Sequence, residues 1–472
     1  MNTSAHIEQD TGFTPVVPVP IAKPVLEYGM VDHIQTLYGM ATNPITTLSA
    51  YQFTLPVFQY QLFGNHFTVV NDPDMIKHCF VDNAKNYTLE PIRQAILTPV
   101  LRRGLVAVEG PSWRKARRVL APIFTPRFTR EFADRMRRVT ETLIPHVLAQ
   151  PGVVNVADQM SVLAYQVLSE TLFSGEITDD AAGMMADVAD FFQFLGNVDP
   201  LDMLKFPAWV PRPTRLRGGA AVKRLRGRIA GLITDRKARQ AGGETLPDDF
   251  LTRLMAAEDD TQQPLPLSEI EDHILTFIAA GHETTARGLS WLLYLLANDG
   301  LALQQVQAEV DALDVVATAP ADWCKSLPFL TACFEEAMRL YPPAPFITRM
   351  AVEDDPFGLA FVPSGGYLFL NLYALHRHET LWDAPNRFVP DRFTGTAKGA
   401  IRKYQYLPFG VGHRICIGGH FAMQEALIIL ALTLRDYQFK YAGDTPPVPV
   451  MRITLKPDNG MPMLAIKRGI RQ

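Results

Sequence analysis

The 472-residue sequence has only four cysteines, Cys79, Cys324, Cys333 and Cys416, and no two form a CxxC pair or a zinc-like spacing. That excludes a disulfide framework and a zinc ribbon and fits a reducing compartment. Long apolar runs are also missing. The longest, 289–297 and 426–432, fall far short of the ~20 residues a bilayer-spanning helix needs. Residues 1–12 are polar and acidic without a signal-peptide pattern, and the stretch after them is interrupted by Pro15, Pro18, Pro20 and Pro24. A cytoplasmic protein with no membrane anchor is expected. No internal repeat, low-complexity linker or dinucleotide fingerprint loop is found, and a net charge of −4 gives no large excess of either sign.

What remains is a chain that is 47% hydrophobic and 10% aromatic, ample for a packed core. Helical periodicity dominates from about 112 to 340. Ser268 and Glu271 have capping-box spacing and are expected to open a helix of about thirty residues, ~45 Å long. Strand-like stretches lie at 61–70, with Gly64-Asn65 as a hairpin turn, and at 360–370, 452–455 and 461–466. The expected fold is mainly α with a minor β portion. It comprises a polar, proline-rich extension over 1–30 and a single domain over 31–472. Two stretches are basic, 102–138 and 212–239. Neither interleaves aromatics or carries a nucleic-acid motif, so no nucleic acid is expected as partner. The second reads as a solvated helix face.

Near the C-terminus the sequence runs Phe409-Gly410-Val411-Gly412-His413-Arg414-Ile415-Cys416-Ile417-Gly418, followed by an apolar helical stretch over 421–434. Gly410 and Gly412 permit tight turns, and Gly418 removes a side chain where a flat ligand would lie. A helix starting just past Cys416 is expected to lower the thiol pKa. Arg414 offers a two-pronged donor for a carboxylate. A buried structural cysteine is the plainer alternative. A second unusual stretch, Ala280-Gly281-His282-Glu283-Thr284-Thr285, sits mid-helix, where glycine and threonine are poor helix formers. Glu336 and Arg339 stand three apart on another helix, in contact range. Trp113 and Arg117 lie one turn apart.

The cysteine segment resembles the haem-ligating signature of the cytochrome P450 family, and 280–285 resembles that family's oxygen-activation motif. The resemblance spans nearly the whole chain. It implies the cytochrome P450 fold, a single haem-centred domain with a long central helix. It also implies haem b (iron protoporphyrin IX) with Cys416 as the axial iron ligand, the thiolate favouring O–O cleavage. Ala280, Phe409, Gly410 and Gly418 would border the cofactor, while Trp113, Arg117, Arg349 and Arg414 would hold its propionates. Thr284 would hydrogen-bond dioxygen and Glu283 would relay protons. Glu336, Arg339 and Arg392 would form the family's structural triad. Phe277, Ile278, Phe346 and Ile347 would line the substrate pocket, with Phe191, Phe192, Phe194 and Met461 as weaker candidates; if they do, the substrate is apolar.

The implied activity is that of a monooxygenase, inserting one atom of O2 by hydroxylation or epoxidation. With no flavin or nicotinamide signature, electrons are expected from a ferredoxin and its reductase, docking on a basic face near Arg114, Lys115 and Arg118. Two other functions use the same thiolate. A peroxide-driven peroxygenase or isomerase would not need the Glu283–Thr284 pair. A non-enzymatic haem sensor would carry a signalling module, of which the sequence gives no sign.

Overall fold

The computed structural model describes residues 30–62, 64–149, 151–176, 181–195, 210, 213–258, 262–358 and 360–469. The extension expected over 1–30 lies outside these except for Met30. Helices make up most of the described chain, and the strands form small sheets. The helices that build the site are α1 (Pro91–Leu101), α2 (Gly110–Leu120), α3 (Ala133–Leu148), α4 (Val156–Phe173), α5 (Pro213–Ala241), α6 (Leu267–Asn298), α7 (Pro328–Leu340) and α8 (Gly419–Asp436).

Helix α6 is the axis of the molecule. At 32 residues it runs about 48 Å, and α4, α5, α7 and α8 all pack against it. From Ile270 to Leu296 most of its residues are buried on every face, as a helix enclosed by others requires. Gly281 has a packing reason: a Cβ there would sit 3.0 Å from the Leu168 side chain of α4. The expected capping box does not form. Pro266 occupies the N-cap, and the helix starts at Leu267 without a side-chain cap. The fixed φ of proline brings the chain into the helix one residue early, leaving Ser268 already inside it.

The main sheet pairs β1 (Val57–Leu62) with β2 (Asn65–Val70) across Gly64, whose φ of +73° makes the tight turn. The other strands are β3 (Tyr87–Thr88), β4 (Phe346–Ala351) and β5 (Tyr367–Asn371), giving the order β1-β2-β5-β4-β3. β4 runs antiparallel to β5 with Arg349 opposite Leu368, which fixes that arginine in the sheet. The strand expected at 360–370 is split into Ala360–Val362 and β5, because the chain turns at Gly365 (φ +73°). The stretch at 452–455 is likewise replaced by Pro449–Met451 and Leu455–Pro457, while Pro462–Lys467 pairs with Tyr437–Tyr441.

The basic run on α5 is not simply solvated. Arg236 is fully buried between Glu176 at 2.5 Å and Asp249 at 2.7 Å. Arg226 reaches Asp272 of α6 at 2.7 Å. Periodicity alone shows a cationic face; it does not show the acids folded against it.

Candidate active site

The cysteine loop is a tight backbone knot. Gly410 (φ +79°) and Gly412 (φ +71°) both take left-handed conformations that favour glycine. The Cys416 N–H donates to the Phe409 carbonyl at 2.9 Å, Ile415 N–H to Gly412 at 3.1 Å and Gly410 N–H to Leu407 at 3.0 Å. Helix α8 starts three residues past the cysteine. Cys416 is exposed to solvent although protein atoms surround it closely. Burial pushes its thiol up, while the Gly418 backbone N–H and the Arg117 charge pull it down. The low thiol pKa expected from the helix terminus alone is therefore outweighed by desolvation.

A buried network holds this loop from behind. Glu336 and Arg339 form a two-pronged pair at 2.6 and 2.7 Å with both side chains at 0% exposure. Arg392 adds a contact to Glu336 at 3.5 Å, and the Val389 N–H donates to the same carboxylate at 2.8 Å. The remaining donors of Arg339 go to the carbonyls of His376 (2.6 Å), Pro385 (2.7 Å) and Arg387 (2.9 Å). His376 completes the link: its Nε2 accepts the Leu407 N–H at 2.9 Å, just before the loop. Burial and the charges of Arg339 and Arg377 drive His376 down to about 3, so the ring is neutral and accepts through Nε2. Nothing in the sequence pattern singles out His376.

Three of the four expected carboxylate-binding residues, Trp113, Arg349 and Arg414, come together, joined by Arg93. Arg349 is buried and its charge is disfavoured first by burial and then by Arg93 and Arg414, which take it down to about 10. Glu90 and Glu109 offset this only in part. Arg414 pairs with Glu109 at 3.0 Å and stacks over the Trp113 ring at 5.0 Å, and its buried Nε has no protein partner. Trp113 also meets His413 edge-on at 5.0 Å. Arg117 is set apart, donating to the Ile415 carbonyl at 2.9 Å beside the sulfur. Arg93 was not anticipated; its one sequence signal is a lone arginine in the first turn of α1.

On α6, Ala280 is exposed and Thr284 half-exposed in the middle of a helix otherwise buried around them. Thr284 Oγ1 donates to the Ala280 carbonyl at 2.8 Å. Glu283 is buried rather than open to solvent. Its Oε1 accepts from Arg287 at 3.0 Å and from Thr454 at 2.9 Å, while Oε2 has no protein partner. Thr285 Oγ1 reaches Glu425 of α8 at 3.1 Å, tying the oxygen motif to the helix behind the cysteine.

Phe277 packs against Phe124 and Phe250, each with ring centres 4.8 Å away, and Ile278 is 1% exposed in the core. Ile278 stands two residues before Ala280, about 200° round the helix from the open face. Phe346 and Ile347 are half-buried on β4, and Met461 is fully buried. The side chains of Phe191, Phe192 and Phe194 lie outside the described residues.

The sequence profile of the cytochrome P450 family matches residues 31–463. This chain belongs to the cytochrome P450 family. Similar proteins include cyclooctatin synthase of Streptomyces melanosporofaciens, 31% identical over 82% of this chain and 83% of that protein. Taurochenodeoxycholic 6 alpha-hydroxylase of Sus scrofa is 28% identical over 83% and 80%. The crystal structure of another cytochrome P450 superposes with a TM-score of 0.75 at 25% identity, covering 88% of this chain and 92% of that one. The cytochrome P450 fold, a haem cofactor and haem-thiolate monooxygenase activity follow, and the enzyme is an oxidoreductase. As in the family generally, electrons come from a redox partner and the substrate is a small molecule. Among the described residues no helix is long and apolar enough to cross a membrane.

The residues present fit a haem. A Cβ at Gly418 would meet nothing within 4 Å, leaving room for a flat ring beside the sulfur. The Arg93–Arg349–Arg414 cluster carries more positive charge than Glu90 and Glu109 balance, which suits a ligand bearing carboxylates.

Proposed function

We propose that this P450 binds haem b, with Cys416 as the iron ligand, and oxygenates an apolar substrate using electrons from a ferredoxin and its reductase. The observation that carries the residue assignment is the exposure of Cys416 and of the Ala280–Thr284 face of α6 amid otherwise closely packed surroundings. Bound haem would supply the metal at which dioxygen is reduced. Arg349 and Arg414 hold the propionates with Trp113 as the platform for Arg414, and Arg117 holds the sulfur side of the site through Ile415. Ala280, Phe409, Gly410 and Gly418 border the ring.

Thr284 keeps a hydroxyl proton at the open face of α6, and Glu283, anchored by Arg287 and Thr454, is the acid that replenishes it. Glu336, Arg339 and Arg392 hold the loop in place. Phe346 and Ile347 shape the substrate side. The Thr284–Glu283 pair favours oxygenation over a peroxygenase or isomerase reaction, which would not need it. Arg114 and Arg118 are exposed on α2, the helix that also carries Arg117, so an acidic partner docking there approaches the thiolate side. Lys115 is half-buried on the same helix. A cytoplasmic location suits the cysteine usage.

Turnover with a ferredoxin, its reductase and isotopically labelled dioxygen tests the reading, using a substrate found by spectral screening. One labelled oxygen atom in the product is expected. Product formed with peroxide alone and no label from dioxygen would overturn it in favour of a peroxygenase. Thr284→Ala should keep haem and substrate binding but divert electrons to peroxide.

A further inference from the structure

Thr285 poses a counting problem. Its Oγ1 lies 3.1 Å from the Gly281 carbonyl and 3.1 Å from Oε2 of Glu425. One hydroxyl carries one proton and cannot donate to both. Glu425, in the second turn of α8, is 1% exposed and its Oε1 has no protein partner. An ionised carboxylate there would need a countercharge or several N–H donors. Charged groups on three neighbouring helices pair with one another: Arg137 with Glu141 on α3, Glu283 with Arg287 on α6 and Glu336 with Arg339 on α7. In the helix Gly300–Ala312, Glu309 accepts the N–H groups of Phe329 and Leu330. Burial pushes the Glu425 carboxyl up to about 8, with Thr285 the only group acting against it.

We propose that Glu425 is held as a neutral acid, donating through Oε2 to Thr285 and so turning the Thr285 hydroxyl onto the Gly281 carbonyl, which makes it a positioning residue for the oxygen-activating turn of α6. This rests on the assignment of Thr284 given above. Thr284 Oγ1 is 2.8 Å from the Ala280 carbonyl and 3.5 Å from that of Gly281. While Thr285 occupies the Gly281 carbonyl, Thr284 stays on Ala280, facing the open side. When Glu425 loses its proton to solvent, its carboxylate instead accepts a hydrogen bond from the Thr285 hydroxyl. The Gly281 carbonyl is then released and competes for the Thr284 hydroxyl.

Infrared spectra of the ferric holoenzyme test the protonation state directly. The wild type should show a protonated-carboxyl band that shifts in D2O, titrates away near pH 8 and is absent from Glu425→Gln. In Thr285→Val the band should persist at higher frequency, because the acid has lost its acceptor. In turnover, the share of electrons lost to peroxide should rise through about pH 8 in the wild type and stay flat in Glu425→Gln, whose amide N–H donates in the same sense. No band difference between wild type and Glu425→Gln would overturn the proposal, as would an unchanged pH profile in that variant. If instead Thr284→Ala remains fully coupled, the oxygen-site assignment fails while the infrared titration still reports on Glu425.

Discussion

Gly410 and Gly412 provide a controlled pair for how the cysteine loop is held. Both have φ near +75°, so alanine at either costs about 1 kcal/mol in backbone strain. Their surroundings differ. A Cβ on Gly410 would meet only the Ile347 Cδ1 at 3.4 Å, an ordinary contact. A Cβ on Gly412 would lie 2.0 Å from the backbone carbonyl oxygen of Phe80, where ordinary carbon–oxygen contacts start near ~3.3 Å. The Phe80 carbonyl belongs to a helical segment, His78–Asp82, and cannot rotate away like a side-chain tip. The loop must therefore shift by about 1 Å, straining the Ile415–Gly412 and Cys416–Phe409 hydrogen bonds. Overpacking of this kind adds about 1–3 kcal/mol. Gly410→Ala should lose about 1 kcal/mol and Gly412→Ala about 2–4 kcal/mol. The assay is the urea midpoint of haem release, read with the thiolate-type Soret band of the reduced carbon monoxide complex. Equal midpoints and equal bands in the two variants would refute the collision argument.

Cys416→Ser should abolish that thiolate-type band; its survival would remove Cys416 as the ligand. Arg349→Leu should lower haem retention during gel filtration, while Arg118→Glu leaves retention unchanged and slows reduction by ferredoxin most at low ionic strength. His376 gives a pH test. Its folded pKa of about 3 lies below its ordinary 6.5, so its contribution is fully present above pH 6.5 and is lost as pH falls towards 3. The loss is about 1.4 kcal/mol per pH unit in that window. His376→Gln, which does not titrate, should release haem at lower pH than the wild type once the two are matched at pH 7.5, and identical acid profiles would sink the argument.

The sequence displayed the parts of the site that depend on a run of several fixed residues. The cysteine loop is legible because Gly410 and Gly412 sit where the backbone turns left-handed, and the 280–285 motif because it breaks the rules of helix composition. Glu336 and Arg339 are legible by spacing. Residues acting singly from distant elements were not: Arg93, His376, Glu425 and Thr454 gain meaning only from neighbours that the fold brings to them. Spacing separates Phe277 from Ile278: Phe277, seven residues before Thr284, shares its side of α6 and packs on Phe124 and Phe250, whereas Ile278 stands about 200° from Ala280. Arg226 and Arg236 likewise read as solvated until Asp272 and Asp249 were placed against them.

The chain of bonds from Glu336 through Arg339 and His376 to Leu407 bears on recombination between relatives. A graft of 407–419 alone would carry the cysteine and its glycines but leave their anchorage to the host. The host would have to present the His376 imidazole and the Arg339 guanidinium in register, and a misfit there would surface as a loose thiolate rather than as an unfolded protein. The smallest block that travels with its own scaffolding runs from 328 to 419. Crossovers inside it should give chimeras that express and fold yet shed their haem.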